Sequence, residues 1–123
     1  MQIEDSLPEH FKTVAFKSGL SFGWKKNNLE KLFEELLSSN IAIVSFDVWL
    51  VQGEKVTYVI PLKSGHMKVF NYVIHKNDGE EWFDFVERSL KEVMNIINRW
   101  NLEKMVRNDL FNKIYYNFKL EDK

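Results

Sequence analysis

Three histidines, His10, His66 and His75, are the first residues to consider for metal ligation or general-base work. None stands three or four residues from another on a helical stretch, the spacing that would aim two imidazoles at one ion. His66 reads as a turn residue and His75 as a strand end. The chain has no cysteine, which removes a thiolate zinc site, a disulfide scaffold and a thiol nucleophile. It carries no Gly-rich phosphate loop and no serine nucleophile motif. The carboxylates say more. Asp47 stands between Phe46 and Val48 in an apolar run, where a buried carboxylate must find a partner or be neutralised. It is either a binding or catalytic group or a structural acid tied to a neighbouring loop or to Arg88, and the structural role is the simpler reading. Glu80, Glu81 and Asp84 imitate a metal-binding or acid–base cluster, but no second cluster at metal spacing accompanies them. No catalytic residue, no metal site and no cofactor follow from these groups. Phe22, Gly23, Trp24, Lys25 and Lys26 mix rings with bases, as single-stranded nucleic-acid sites do. A net charge of −1 gives no electrostatic footprint for a phosphate backbone, so the rings predict a hydrophobic staple ahead of the next helix.

These groups are positioned by a long helix expected over residues 78–100, closing over a sheet built by the residues before it. Trp82, Val86, Leu90, Val93, Ile97 and Trp100 recur at steps of three and four, one stripe along a helix. Phe83, Phe85, Met94 and Ile96 widen that stripe. Asn77 or Asp78 is the expected cap, and Glu80 and Glu81 suit the positive end of the dipole. Asp84 with Arg88, and Glu87 with Lys91, are expected i,i+4 pairs.

An earlier helix is expected over residues 29–39, from Leu29, Leu32, Phe33, Leu36 and Leu37, capped by Asn27 or Asn28. Between the helices, residues 41–51 form the strongest strand, rich in β-branched and aromatic residues and apolar on both faces apart from Ser45 and Asp47, which makes it central. A hairpin loop at 52–54 leads to a strand over 55–62, and a turn at 63–66 leads to a strand over 67–75. Residues 8–16 read as a short helix opened by Pro8, and 18–23 as a connector. Leu102, Met105, Val106, Leu110 and Ile114 predict a further helix after Asn101, with 115–120 extended as the alternative and 119–123 a frayed tail. The expected fold is α+β, one domain over residues 1–123. It is a three-stranded antiparallel meander between an N-terminal helix and a long C-terminal helix, with a further C-terminal helix.

A chain of 123 residues suits one domain with a real core. Aromatics reach 15%, more large rings than a small core easily hides, which hints at a binding surface. The N-terminus is acidic and has no apolar segment of a secretory signal, and no apolar run approaches a membrane span, so a cytoplasmic protein is expected. Charge is unevenly spread: Asp78, Glu80, Glu81, Asp84, Glu87 and Glu92 outnumber Arg88, Lys91 and Arg99 in the long helix and its approach. Residues 41–76 carry Lys55, Lys63, Lys68 and Lys76 against Asp47 and Glu54. An acidic helix start suits a basic partner, although dipole compensation explains it as simply.

Trp24 before a Leu-rich helix, Asp47-Val48-Trp49 in a strand, then Trp82, Phe85, Arg88-Ser89, Ile96-Ile97 and Trp100 form a pattern that resembles a bacterial immunity protein, immunity protein family forty of the polymorphic toxin systems. It spans residues 22–100. The family often has a Gly pair before the Asp where this chain has Ser45-Phe46, and residues after Asn101 lie outside it. The resemblance implies a non-enzymatic protein that binds a cognate toxin domain, commonly a nuclease delivered by contact-dependent growth inhibition or a related system, and blocks its active site or substrate access. It implies no direct contact with nucleic acid and none with a membrane. Asp47, Trp49, Glu80, Glu81, Trp82 and Asp84 are then the expected partner-binding residues, although Trp49 and Trp82 belong to the shared pattern and a common core role is the simpler account of each. The loops at 52–55 and 63–68 and the C-terminal segment are the expected determinants of toxin choice. A small cytosolic module binding another protein or a ligand, unrelated to toxins, is the alternative, and an enzyme using Asp47 or the acids at 80–84 is the third reading.

Overall fold

The computed structural model describes residues 2–123. After a 3-10 turn at Ile3–Ser6 come α1 (Glu9–Val14), β1 (Phe16–Ser18), β2 (Ser21–Trp24), a second 3-10 turn at Lys26–Asn28, and α2 (Leu29–Ser38). The strands β3 (Ala42–Gln52), β4 (Lys55–Thr57), β5 (Val59–Pro61), β6 (Met67–Val69) and β7 (Asn71–Val73) follow. The long helix α3 (Trp82–Trp100), two single-turn helices α4 (Leu102–Met105) and α5 (Asn108–Phe111), and β8 (Ile114–Glu121) complete the chain. The domain is α+β, with an antiparallel sheet and a long helix in its C-terminal half. Among the described residues no helix is long and apolar enough to cross a membrane.

The sheet is wider than a three-stranded meander. Its order is β1-β2-β8-β3-β4, with β7 also paired to β3, and a separate ribbon joins β5 to β6. The centre is the pair β3–β8, in register from Ala42↔Glu121 to Leu50↔Ile114 with a shift between Ile43 and Ser45. Phe46, Val48 and Leu50 face the helices beside Phe118, Tyr116 and Ile114. Phe33 of α2 meets Phe118 edge-on at 5.3 Å, and Trp100 of α3 lies 5.4 Å from Phe46, so both helices cover this one face. Each fully buried aliphatic or Phe side chain here contributes about 1.5–3 kcal/mol relative to exposure.

Several expectations need correction. The further helix expected after Asn101 is only α4 and α5, and the chain then becomes β8, with 119–121 inside the strand instead of a frayed tail. Ile114, Tyr116, Phe118 and Leu120 are buried alternately with more exposed neighbours, a period of two that a helix cannot serve. Residues 18–23, read as a connector, belong to the β1–β2 hairpin, closed at Gly19 with φ +61°. The strand expected over 67–75 breaks at Phe70: β6 pairs with β5, whereas β7 pairs with β3. The first residue of α3 is Trp82, with Glu81 at the cap position in place of Asn77 or Asp78. It stops where Asn101 turns left-handed at φ 48°.

Candidate functional site

The start of α3 is organised by Arg88. Its Nε donates to Glu80 Oε2 at 2.8 Å and its Nη2 to Glu80 Oε1 at 2.9 Å, a two-pronged pair. Nη1 donates to Glu92 Oε2 at 3.1 Å, and Nη2 also reaches the His75 carbonyl at 2.7 Å. The Tyr72 hydroxyl donates to Glu92 Oε1 at 2.8 Å, tying β7 to the same network. Arg88 therefore pairs with Glu80 and Glu92, where an i,i+4 pair with Asp84 was expected. The Arg88 guanidinium, helped by the Asn77 N–H at 3.0 Å, holds the Glu80 carboxyl down at about 2. With 13% of its side chain exposed, Glu80 is committed inside the molecule and is not a free contact for a partner.

Trp82 is committed too. Its Nε1 donates to the Asn40 carbonyl at 3.0 Å, pinning α3 to the end of α2, and its ring meets Phe85 at 5.5 Å. Glu81 and Asp84 are exposed. Between them Phe83 is 51% exposed, a large ring in water that the sequence pattern had assigned to the buried stripe. From Phe83 the same helical face continues through Glu87 to Lys91 and Met94. There it borders a groove of about 450 Å³ against α2, floored by Phe33, Leu37, Leu90 and Met94 and rimmed by Glu30, Glu34, Glu87 and Lys91. Among the described residues Glu30, Glu34, Glu81, Asp84 and Glu87 form no ion pair. This face offers unneutralised carboxylates around an apolar floor, the arrangement that suits a basic partner segment with apolar side chains.

Asp47 lies elsewhere. It points to the sheet face opposite the helices, so it cannot meet Arg88, one of the two partners that the structural reading offered. Asn71 and Asn117 flank it on the neighbouring strands. A cleft of about 510 Å³ opens there between the sheet and the first 3-10 turn, lined by Asp47, Ser45, Asn117, Lys119, Ser21 and Glu4, among others. Asp47 has no hydrogen-bond or ion-pair partner among the described residues, and burial pushes its carboxyl above the ordinary range. Burial pushes Glu4 up as well, against a backbone hydrogen bond that lowers it.

Trp49 shares that face but is 2% exposed, which removes it as an exposed anchor. A Cβ on Gly23 would stand 2.8 Å from Trp49 Cε3, so the indole packs where only glycine allows it. The six expected partner-binding residues thus fall on two opposite sides of the sheet. Glu81 and Asp84 remain free on one side, Asp47 is free on the other, and Glu80, Trp82 and Trp49 serve the fold.

The chain matches no protein-family model, no curated protein and no solved structure. Most residues of the sequence pattern have structural work. Trp24 is fully buried and its Nε1 donates to the Phe11 carbonyl at 2.8 Å. Ser89, also fully buried, donates to the Val86 carbonyl at 2.9 Å and accepts from the Ile43 N–H at 3.2 Å, next to the register shift of β3. Among the described residues no group of three or more His, Asp or Glu side chains is placed to hold a metal ion. Glu30 and Glu34, one turn apart, read in the sequence as part of a charged outer face of α2; that this face adjoins the acidic start of α3 follows only from the packing of the two helices.

Proposed function

We propose that this chain is an immunity protein that binds and neutralises a cognate toxin domain, a nuclease of a contact-dependent growth inhibition or related system, in the cytoplasm. The observation that carries the reading is the α2–α3 face, with exposed Phe83, unpaired Glu30, Glu34, Glu81, Asp84 and Glu87, and an apolar groove between the helices. A nuclease must be basic around the cleft that holds its phosphate backbone. An acidic face with an apolar centre complements such a cleft, speeds encounter by steering and blocks substrate without any chemistry of its own. The sequence resemblance points the same way. In this reading the protein is not an enzyme, uses no cofactor, and touches neither nucleic acid nor membrane.

The test is growth of cells expressing the toxin domain encoded directly upstream, with and without this protein. Rescue together with a co-purifying complex is the expected result. Failure to rescue by a folded, well-expressed protein would remove the reading. The unpaired Asp47 in its cleft favours a second reading, a module that takes a small cationic or hydrogen-bonding ligand, unrelated to toxins.

A further inference from the structure

Where β2 runs into the second 3-10 turn, a cleft of about 550 Å³ opens between that turn and the single-turn helices α4 and α5. Phe111, Ile114 and Tyr116 give it apolar walls, and Lys26, Glu103 and Asn112 stand around it. It shares no lining residue with the α2–α3 groove or with the cleft at Asp47. A concave apolar site of this size with a few polar groups has the make-up of a small-molecule site.

Tyr116 decides what the cleft can hold. It lies on the helix-facing side of β8 and is 1% exposed, yet its hydroxyl has no hydrogen-bond partner among the described residues. Folded proteins rarely leave a buried hydroxyl unpaired, because its desolvation is then a cost with no return. Burial pushes its ionisation up, and the nearby Glu103 carboxylate pushes it further, so at neutral pH Tyr116 is a phenol with a proton to donate. Glu103 is itself loosely held. Lys26 Nζ meets its Oε1 at 3.3 Å, joining the 3-10 turn to α4, but the Glu103 side chain is 53% exposed. An exposed pair of this kind contributes little, so another carboxylate can replace Glu103 on Lys26. Lys25 adds no charge here, because its Nζ lies over the Tyr115 ring, and Tyr115 stands opposite Trp49 on the other face of the sheet. The first turn of α2, directly after the 3-10 turn, has no side-chain cap, so the positive end of its dipole adds to Lys26.

We propose that this cleft binds a small monocarboxylate with an apolar body, whose carboxylate displaces Glu103 from Lys26 and accepts from the Tyr116 hydroxyl while its body lies against Phe111 and Ile114. The position of Glu103, beside Lys26 and within the field of Tyr116, marks where the ligand carboxylate sits. The proposal does not rest on the toxin reading; it needs only the cleft and its unpaired phenol. One charged contact at the mouth and one hydrogen bond inside fix the orientation of the acid, and the apolar walls supply the rest of the affinity.

The experiment follows the backbone amide NMR signals of the full chain during titration with sodium cinnamate, and with the neutral cinnamamide as its control. Cinnamate should bind saturably, with the largest shifts at Glu103, Phe111 and Ile114, and about tenfold or more tighter than the amide. Tyr116→Phe should weaken cinnamate by about tenfold, with urea stability equal or higher, because the hydroxyl has no partner to lose. Lys26→Gln should weaken it too and remove its salt dependence. Glu103→Gln should tighten it, because the competing carboxylate is gone. Lys26 and Glu103 are both partly exposed, so their variants read the cleft without disturbing the core. The absence of saturable shifts overturns the proposal, as do shifts centred on Leu37 and Met94 of the α2–α3 groove, or equal affinity for acid and amide. So does a Tyr116→Phe chain that is less stable, which would give the hydroxyl a partner within the fold, or a Glu103→Gln chain that binds more weakly.

Discussion

Arg88 binds Glu80, Glu92 and the His75 carbonyl at once, so one guanidinium fixes the loop before α3 to the helix and, through Glu92 and Tyr72, to β7. The pH consequence follows from Glu80. Its folded carboxyl is held at about 2, below the ordinary value of 4.5, so its contribution is present above about 4.5 and is lost as pH falls towards 2. Arg88→Met should lower urea stability at neutral pH and flatten the acid limb between those values; an unchanged limb would show that the pair contributes nothing. Asp47 has the opposite sign. Burial raises its carboxyl, so the charged form is a cost at neutral pH that is relieved as pH falls through the folded value. Asp47→Asn should therefore raise the melting temperature at pH 7. A stabilised Asn variant that still rescues cells would place Asp47 outside toxin binding, whereas a stabilised variant that fails to rescue would place it inside. Gly23→Ala forces a Cβ to 2.8 Å from Trp49 Cε3, and overpacking of this kind costs about 1–3 kcal/mol, measurable by denaturant titration.

At the scale of elements, β8 is the piece on which the sheet depends. It lies between β2 and β3, so the β1–β2 hairpin reaches the rest of the sheet only through it. Phe118 sits within 6.4 Å of Trp24, Phe33 and Phe46, joining β2, α2 and β3. Phe118→Ala should cost about 3–5 kcal/mol, and hydrogen exchange should show β1 and β2 losing protection with it. Ser89 ties α3 to β3 through the Ile43 N–H; Ser89→Ala leaves that buried donor unpaired, at about 1–3 kcal/mol. The alternation of Tyr116, Phe118 and Leu120 is legible in the sequence as the extended alternative over 115–120, whereas Ile114, the first residue of β8, reads as part of the helix. The helical spacing of Leu102, Val106 and Leu110 obscured it, because Leu102 and Leu110 are buried by two separate helical turns and Val106 by the extended link between them, where it bridges to Leu62.

For the whole molecule, a net charge of −1 conceals a polar distribution: unpaired acids on the α2–α3 face and an acid-free stretch over 55–77 that carries Lys55, Lys63, Lys68 and Lys76. If the toxin reading holds, reversing Glu34 and Glu87 should lower the association rate with the toxin and flatten its salt dependence, with little change in stability, because both side chains are exposed and unpaired. An unaltered rate would remove the face from the encounter.

The amino-acid pattern by itself determined the two long helices, the central strand and the acidic start of α3. Each is local: apolar spacing at three and four and β-branched runs need only a few neighbouring residues. Only the tertiary structure decided which candidate site residues were free. Glu80 looks as available in the sequence as Glu81 and Asp84, and the shared pattern only suggested a core role for Trp49 and Trp82. The partners of Trp49, Glu80 and Trp82, which are Gly23, Arg88 and Asn40, come from other turns and other elements. Exposure is settled by such long-range packing, and so is the placement of Asp47 and the acidic helix on opposite faces of one sheet.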